Sequence, residues 1–236
     1  MNVQEETYRL LAEKLVTAID SKRYVDWAVS LLVAGLESES LIILAGLDNY
    51  PTEEREKYFW QSVNELNLDF KKSDFELIED YSIYTAQKVL SGELNELKAL
   101  KILNEVWIAS DYNPKYRQFG DLLEDVDYLE YEGTTIFNSG LNKNNIEKFV
   151  KTEFELFLKA EELKLDNEIR EKSICDKCDL IVKPKLKTKH KFISSKSYQI
   201  WVCGNCGSEK IEHFSSQNGK RRIIERKLWF KKLTRR

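Results

Sequence analysis

All four cysteines of this 236-residue chain fall in two pairs, Cys175-Asp176-Lys177-Cys178 and Cys203-Gly204-Asn205-Cys206. Both pairs have the C-x-x-C spacing, and 24 residues separate Cys178 from Cys203. Two such pairs supply four thiolates, the full tetrahedral shell of a structural zinc ion. The separation exceeds the roughly 15–20 residues usual between paired knuckles, and a longer hairpin takes up the difference. Four sulfurs close the shell and leave no coordination position for water, so the expected role of the metal is structural, not catalytic. Thioredoxin-type redox chemistry is a poor match, because neither pair opens a helix after a strand.

The zinc reading fits a reducing compartment, where paired thiols bind metal and do not form disulfides. The start, Met1-Asn2-Val3-Gln4-Glu5-Glu6, is acidic and lacks the basic residues and apolar core of a secretory signal. The apolar run around Ala28–Leu36 is too short to span a bilayer. A cytoplasmic protein with no membrane partner is the expectation.

Charge divides the chain sharply. Residues 1–170 hold 34 Asp+Glu and 19 Lys+Arg, a net of −15, and residues 171–236 hold 6 and 18, a net of +12. An acidic body of residues 1–170 joined to a basic unit of residues 171–236 is therefore expected. The basic unit points to an anionic partner, of which nucleic acid is the commonest, or to attraction between the two halves.

Apolar periodicity makes the body helical. Tyr8, Leu11, Leu15 and Ile19 share one helix face. Val25, Ala28, Val29, Leu32 and Leu36 share another, after a break at Asp20-Ser21. Ser38 or Ser40 can cap a short helix over 41–47. Thr52 with Glu53 and Glu54 opens a helix carrying Phe59, Val63 and Leu66. Ser73 caps the next, which Ser91-Gly92 ends. Leu94 to Trp107 forms a further helix, closed before Asn113-Pro114. Phe119 to Leu129 suggests a short helix, 133–140 a loop, and Ile146 to Leu165 the clearest amphipathic helix. The fold class expected is mainly α: an N-terminal bundle of six to eight helices with a small C-terminal β zinc ribbon. In that ribbon, 188–194 and 197–202 read as a hairpin and 210–214 as a third strand. Residues 217–220 read as a turn, 221–230 as a strand or short helix, and 231–236 as a mobile end.

At its cysteines the chain resembles the zinc-ribbon group: a knuckle, a β-hairpin, and a second knuckle, Cys203-Gly204-Asn205-Cys206-Gly207. The resemblance covers about residues 171–215 and implies metal binding by Cys175, Cys178, Cys203 and Cys206. It departs from the commonest pattern in lacking Gly and Pro around Cys175–Cys178. Ribbons serve in nucleic-acid binding, protein docking and pure structure. The segment from Trp27-Ala28-Val29 through Gly35-Leu36-Glu37-Ser38 to Leu44-Ala45-Gly46-Leu47 resembles a helical hairpin of uncharacterised bacterial proteins of immunity or defence type. That likeness implies a bacterial interaction module without catalytic residues.

The candidate nucleic-acid contacts are Lys185, Lys187, Lys189, Lys191, Tyr198, Lys220, Arg221, Arg222, Arg226 and Lys227. The odd-numbered lysines share one face of an extended strand, and Phe192, Tyr198, Trp201, Trp229 and Phe230 lie among them as stacking surfaces. The alternative is a lysine-protected edge strand over a small aromatic core. His190 and His213 read as surface residues or supports for the metal ligands. No histidine occurs in residues 1–170, so a Ser-His-Asp or Cys-His mechanism cannot be built there. No phosphate-loop, dinucleotide or H-E-x-x-H motif is present.

These features lead to a non-enzymatic bacterial adaptor, with no catalytic residues assigned. Its ribbon and basic tail contact nucleic acid, and its acidic helices dock a protein partner. The alternative is an interaction or immunity accessory protein with a purely structural or docking ribbon. A third reading is a Mg²⁺-dependent nuclease built on Asp121, Glu124, Asp125, Asp127, Glu130 and Glu132.

Overall fold

The computed structural model describes all residues except 1, 18, 69, 70, 191–196 and 234–236. Eight helices occupy the N-terminal part: α1 Val3–Val16, α2 Lys22–Val33, α3 Glu39–Ala45, α4 Thr52–Glu65, α5 Asp74–Leu90, α6 Glu96–Ala109, α7 Arg117–Tyr131 and α8 Ile146–Glu162. Their boundaries follow the apolar periodicity and the capping residues. Ser38 adopts an extended backbone and accepts from the Leu41 N–H, capping α3. Ser40 is instead held by Glu65, through both its N–H and its hydroxyl. Ser73 and Glu76 form a reciprocal capping box at the start of α5. At the Asp20-Ser21 break, the Ser21 side chain makes no capping bond to α2. Its hydroxyl accepts from Arg55 at 2.8 Å.

The chain separates into two compact units, residues 1–84 with 108–111, and residues 85–107 with 112–236. The separation falls inside α5, and position 170, where the acidic body was expected to end, lies within the second unit.

In the first unit Leu31, Leu41, Leu44 and Phe59 are fully buried. Phe59 stacks with Tyr24 and meets Trp27 edge-on, with centroids 4.6 and 4.9 Å apart. The Trp27 indole N–H donates to Thr7. Buried Arg55 ties the α3–α4 turn by donating to the carbonyls of Leu47 and Asp48. Nothing in the sequence marks Arg55 apart from other surface cations.

The second unit contains the short strands β1 Ser173–Cys175, β2 Ile181–Val182, β3 Lys185–His190, β4 Ser197–Val202 and β5 Ile211–His213, preceded by a 3₁₀ turn, η1, Asn167–Glu171. β1 lies between β2 and β5, both antiparallel to it, while β3 and β4 form a separate hairpin. The expected third strand is thus present, but it pairs with β1. The hairpin's first strand begins at Lys185, earlier than expected, because Lys185 pairs with Val202 beside the second knuckle. The rest of the expected strand, 191–194, lies outside the described residues.

The final helix, α9 Gln217–Leu233, corrects the reading of 217–220 as a turn and takes the helical of the two alternatives for 221–230. Asn218-Gly219 looks like turn chemistry, but Ser216 accepts from the Gly219 N–H at 3.0 Å and caps a helix. Glycine is required there by packing: a Cβ would sit 2.0 Å from the His213 carbonyl oxygen. Ile223 then packs with Ile169, Ile174 and Phe214, and Ile224 with Leu156 and Ala160 of α8. Adjacent residues thus wedge α9 between ribbon and helix. Lys231 and Lys232, expected in a mobile end, belong to α9, and 234–236 lie outside the described residues. No helix among the described residues is long and apolar enough to cross a membrane.

The loop 133–140 is organised by one carboxylate. Fully buried Asp125 accepts from the N–H groups of Ile136, Phe137 and Asn138 and from the Asn138 amide, at 2.6–3.1 Å. Asp125→Ala is expected to lower the stability of the second unit by about 2–4 kcal/mol, since several donors lose their acceptor. Asp127→Ala, at an exposed position of the same helix, is expected to stay within about 0.5 kcal/mol. Denaturant titration of both variants checks the contrast.

Candidate metal centre and nucleic-acid interface

The two C-x-x-C pairs converge. All four sulfurs lie within 4.8 Å of one another. Cys175 Sγ is 3.6 Å from Cys206 Sγ, and Cys178 Sγ is 3.7 Å from Cys203 Sγ. A tetrahedron with metal–sulfur bonds of about 2.3 Å has edges of about 3.8 Å, so the spacing fits a single ion. All four cysteines are free of disulfides.

Each knuckle is shaped by its backbone. The Asp179 N–H donates to the Cys175 carbonyl at 2.9 Å, and the Gly207 N–H donates to the Cys203 carbonyl at 3.0 Å. Both donors lie in the left-handed region, with φ of 55° at Asp179 and 71° at Gly207. Aspartate tolerates this conformation better than most residues, which is how the first knuckle forms without glycine. Gly204 is needed for close approach, since a Cβ would lie 2.3 Å from the Lys183 carbonyl oxygen.

The thiols are poised unequally. Burial opposes ionisation of Cys175, but the N–H groups of Cys178 and Lys177 and the neighbouring sulfurs bring it down to about 6. Cys203 is lowered as well: against burial, the N–H groups of Cys206 and Asn205 favour its thiolate. At Cys206 the Ser208 N–H favours the thiolate, but burial and the three other cysteines outweigh it and push the thiol up to about 11. Four thiolates this close together would repel one another, and a cation among them would relieve that repulsion. The four cysteines could hold a metal ion, and neither histidine belongs to the cluster. His213 is half-buried, with burial lowering its pKa against a backbone contact to Glu171, and His190 is exposed.

The residues expected to meet nucleic acid separate into three groups. In the first, Lys185 and Lys187 are exposed on β3, and Lys189 is half-buried beside Glu209 at 2.5 Å. The register pairs Lys187 with Ile200 and Lys189 with Tyr198, so three lysines and Tyr198 share one hairpin face. Trp201 pairs with Leu186 and projects from the opposite face. Arg221 and Lys227 are exposed on α9. Lys191, Phe192 and Lys196 lie outside the described residues.

The second group braces the metal centre. Arg222 reaches Asp176 at 2.5 Å and Arg226 reaches Asp179 at 2.9 Å, so one turn of α9 clamps the first knuckle. Arg226 also covers Trp229 and Phe230, with its guanidinium carbon 4.9 and 4.8 Å from their centroids. The third group is Lys220 alone, which is 1% exposed and ion-paired with Glu153 of α8. Burial lowers its pKa, and Glu153 opposes the shift. Lys220 is thus removed from any solvent-facing surface, because the packing of Gly219 against His213 carries its neighbour inward. Glu153, Asp176 and Asp179 are the site residues that sequence reasoning missed. For Glu153 a signal existed: it follows the apolar periodicity of α8 as a charge on the buried face.

The α7 acids do not assemble a cation site. Asp125 is committed to the 133–140 loop, and Asp121 lies 3.4 Å from Arg117, with burial as the main influence raising its pKa. Among the described residues, the four cysteines are the one group of ligating side chains that converges on a possible ion position. Comparison with protein-family models, with curated proteins and with solved structures returns no match to this chain.

Lys220→Ala strands the buried Glu153 carboxylate and is expected to cost about 3–5 kcal/mol. The double variant Lys220→Met/Glu153→Leu is expected to recover most of that loss, because no uncompensated charge remains. Denaturant titration of the single and double variants measures the difference.

Proposed function

We propose that this chain is a non-enzymatic bacterial adaptor with a structural zinc ion held by Cys175, Cys178, Cys203 and Cys206. Its ribbon hairpin and α9 contact nucleic acid, and its acidic helices dock a protein partner. The observation that carries the nucleic-acid reading is the β3–β4 register. It sets Lys185, Lys187 and Lys189 beside Tyr198 on one face, and neither Lys185 nor Lys187 has an ion-pair partner among the described residues. Ammonium groups at alternate positions suit successive phosphates, and a half-exposed ring suits stacking on a base. Exposed Arg221 and Lys227 on α9 add cations of the same kind. The helices contribute the acidic surface, and the net −15 of residues 1–170 favours a basic protein face as partner.

A second reading rests on the opposite hairpin face. Leu186 and Trp201 stand directly across from each other and are 52% and 56% exposed. An exposed apolar pair of this kind suits docking to a protein, with the ribbon as an accessory module of immunity or defence type. The nuclease reading gains no support from the arrangement of the α7 acids.

Fluorescence anisotropy of the zinc-loaded full chain with labelled single- and double-stranded oligonucleotides, across a salt series, separates the readings. Binding is expected to weaken with a log–log salt slope of about −3, as about four phosphate contacts require. The variant Lys185→Ala/Lys187→Ala is expected to flatten that slope by about 1.5. Unchanged affinity and slope in this variant would remove the hairpin from any nucleic-acid interface. Sensitivity to Trp201→Ala in protein capture alone would favour the docking reading.

A further inference from the structure

The second unit holds a cleft of about 880 Å³, lined by both polar and apolar groups, that neither the cysteine cluster nor the hairpin uses. Four segments form its walls. The first turn of α7 supplies Arg117, Gln118 and Asp121, η1 supplies Asn167 and Arg170, the Asp125-held loop supplies Phe137 and Asn138, and the end of β5 supplies His213 and Phe214. Three of the four cations on the wall stand beside an acid: Arg117 with Asp121, Lys172 with Glu168 and Lys183 with Glu171. Arg170 does not.

Arg170 is partly buried and lies over the Phe214 ring, 5.6 Å from its centroid. Its Nε donates to Asn167 at 3.2 Å, and one terminal nitrogen makes a long bond to Gln118 at 3.4 Å. Both acceptors are neutral. The nearby carboxylates Glu153 and Glu161 are committed to Lys220 and Lys115. Burial lowers the Arg170 pKa against the pull of Glu161 and Glu153. A partly desolvated guanidinium with unused donors on a cleft wall lacks its anion.

Asn167, Arg170 and Lys172 all line this cleft. The Asn167 amide nitrogen is free to donate, because its oxygen faces Arg170. Lys172 Nζ is only loosely engaged by Glu168, at 3.8 Å. A guanidinium with an amide and an ammonium on the same wall offers several donors to a phosphate, which has more acceptor oxygens than a carboxylate. The volume far exceeds one phosphate, and Phe137 adds an aromatic surface that is 47% exposed.

We infer that this cleft binds a phosphate monoester carried on a flat ring, with Arg170 as the partner of the phosphate and Phe137 as the stacking surface. The site is separate from the hairpin lysines and stands whether or not they bind nucleic acid.

Isothermal titration of the full zinc-loaded chain with adenosine 5′-monophosphate, inorganic phosphate and adenosine tests it. The monophosphate is expected to bind best, inorganic phosphate more weakly, and adenosine at least about 10-fold more weakly than the monophosphate. Arg170→Gln is expected to weaken monophosphate binding by about 10- to 100-fold. Arg170→Lys is expected to retain part of it, through its charge without the fork. Phe137→Ala, at an exposed position, is expected to weaken the monophosphate while leaving inorganic phosphate unchanged. Lys185→Ala/Lys187→Ala is expected to leave all three unchanged, which separates this site from the proposed nucleic-acid interface. No heat with monophosphate at about 10 mM, equal binding of adenosine, or unaltered affinity in a folded Arg170→Gln variant would each overturn the inference. Should Arg170→Gln fail to fold, an unaltered Phe137→Ala overturns it instead.

Discussion

Four sulfurs within 4.8 Å of one another set the terms for the ribbon. As neutral thiols they offer weak hydrogen bonds, and as thiolates they repel. The backbone N–H groups favour charge on Cys175 and Cys203, while the same crowding opposes it on Cys206. A divalent cation resolves the conflict, because it favours the charged form of every ligand at once. The surrounding β1, β2 and β5 are two or three residues long. Strands so short supply little stability of their own, so a metal cross-link between the knuckles would carry much of the local fold.

Around that centre the cations divide by depth. At the surface, Lys185, Lys187, Arg221 and Lys227 face solvent. One layer in, Arg222 and Arg226 spend their charge on Asp176 and Asp179, fixing the first knuckle against α9. Deepest, Lys220 is paired with Glu153, and Arg170 makes no ion pair among the described residues. The excess of positive charge beyond residue 170 is therefore not one uniform surface. Part of it is structural, and only the outer part is available to an anionic partner.

Much of this organisation was legible in the sequence, for identifiable reasons. The helices α1 to α8 announce themselves through apolar spacing, and Ser38 and Ser73 mark their starts because capping is local. The clustering of the four cysteines was legible because spacing and exclusivity constrain it. The start of α9 was not, because Asn218-Gly219 has the composition of a turn, while the need for glycine comes from a carbonyl on β5. Lys220 could not be told from Arg221 by composition, since one is buried and the next exposed only through the rotation of a helix whose packing is tertiary. Asp125 looked like one acid in a cluster, and its role depends on a loop eleven to thirteen residues away. Arg170 carried no signal at all, because its meaning lies in the partner it lacks.

The proposed zinc ion would join the two knuckles through all four cysteines. The most direct measurement is metal analysis combined with X-ray absorption at the zinc edge, on protein purified without added metal. One zinc per chain, coordinated by four sulfurs at about 2.3 Å, is the predicted result. A folded ribbon with no bound metal, with disulfides between the cysteines, or with nitrogen or oxygen among the ligands would contradict it.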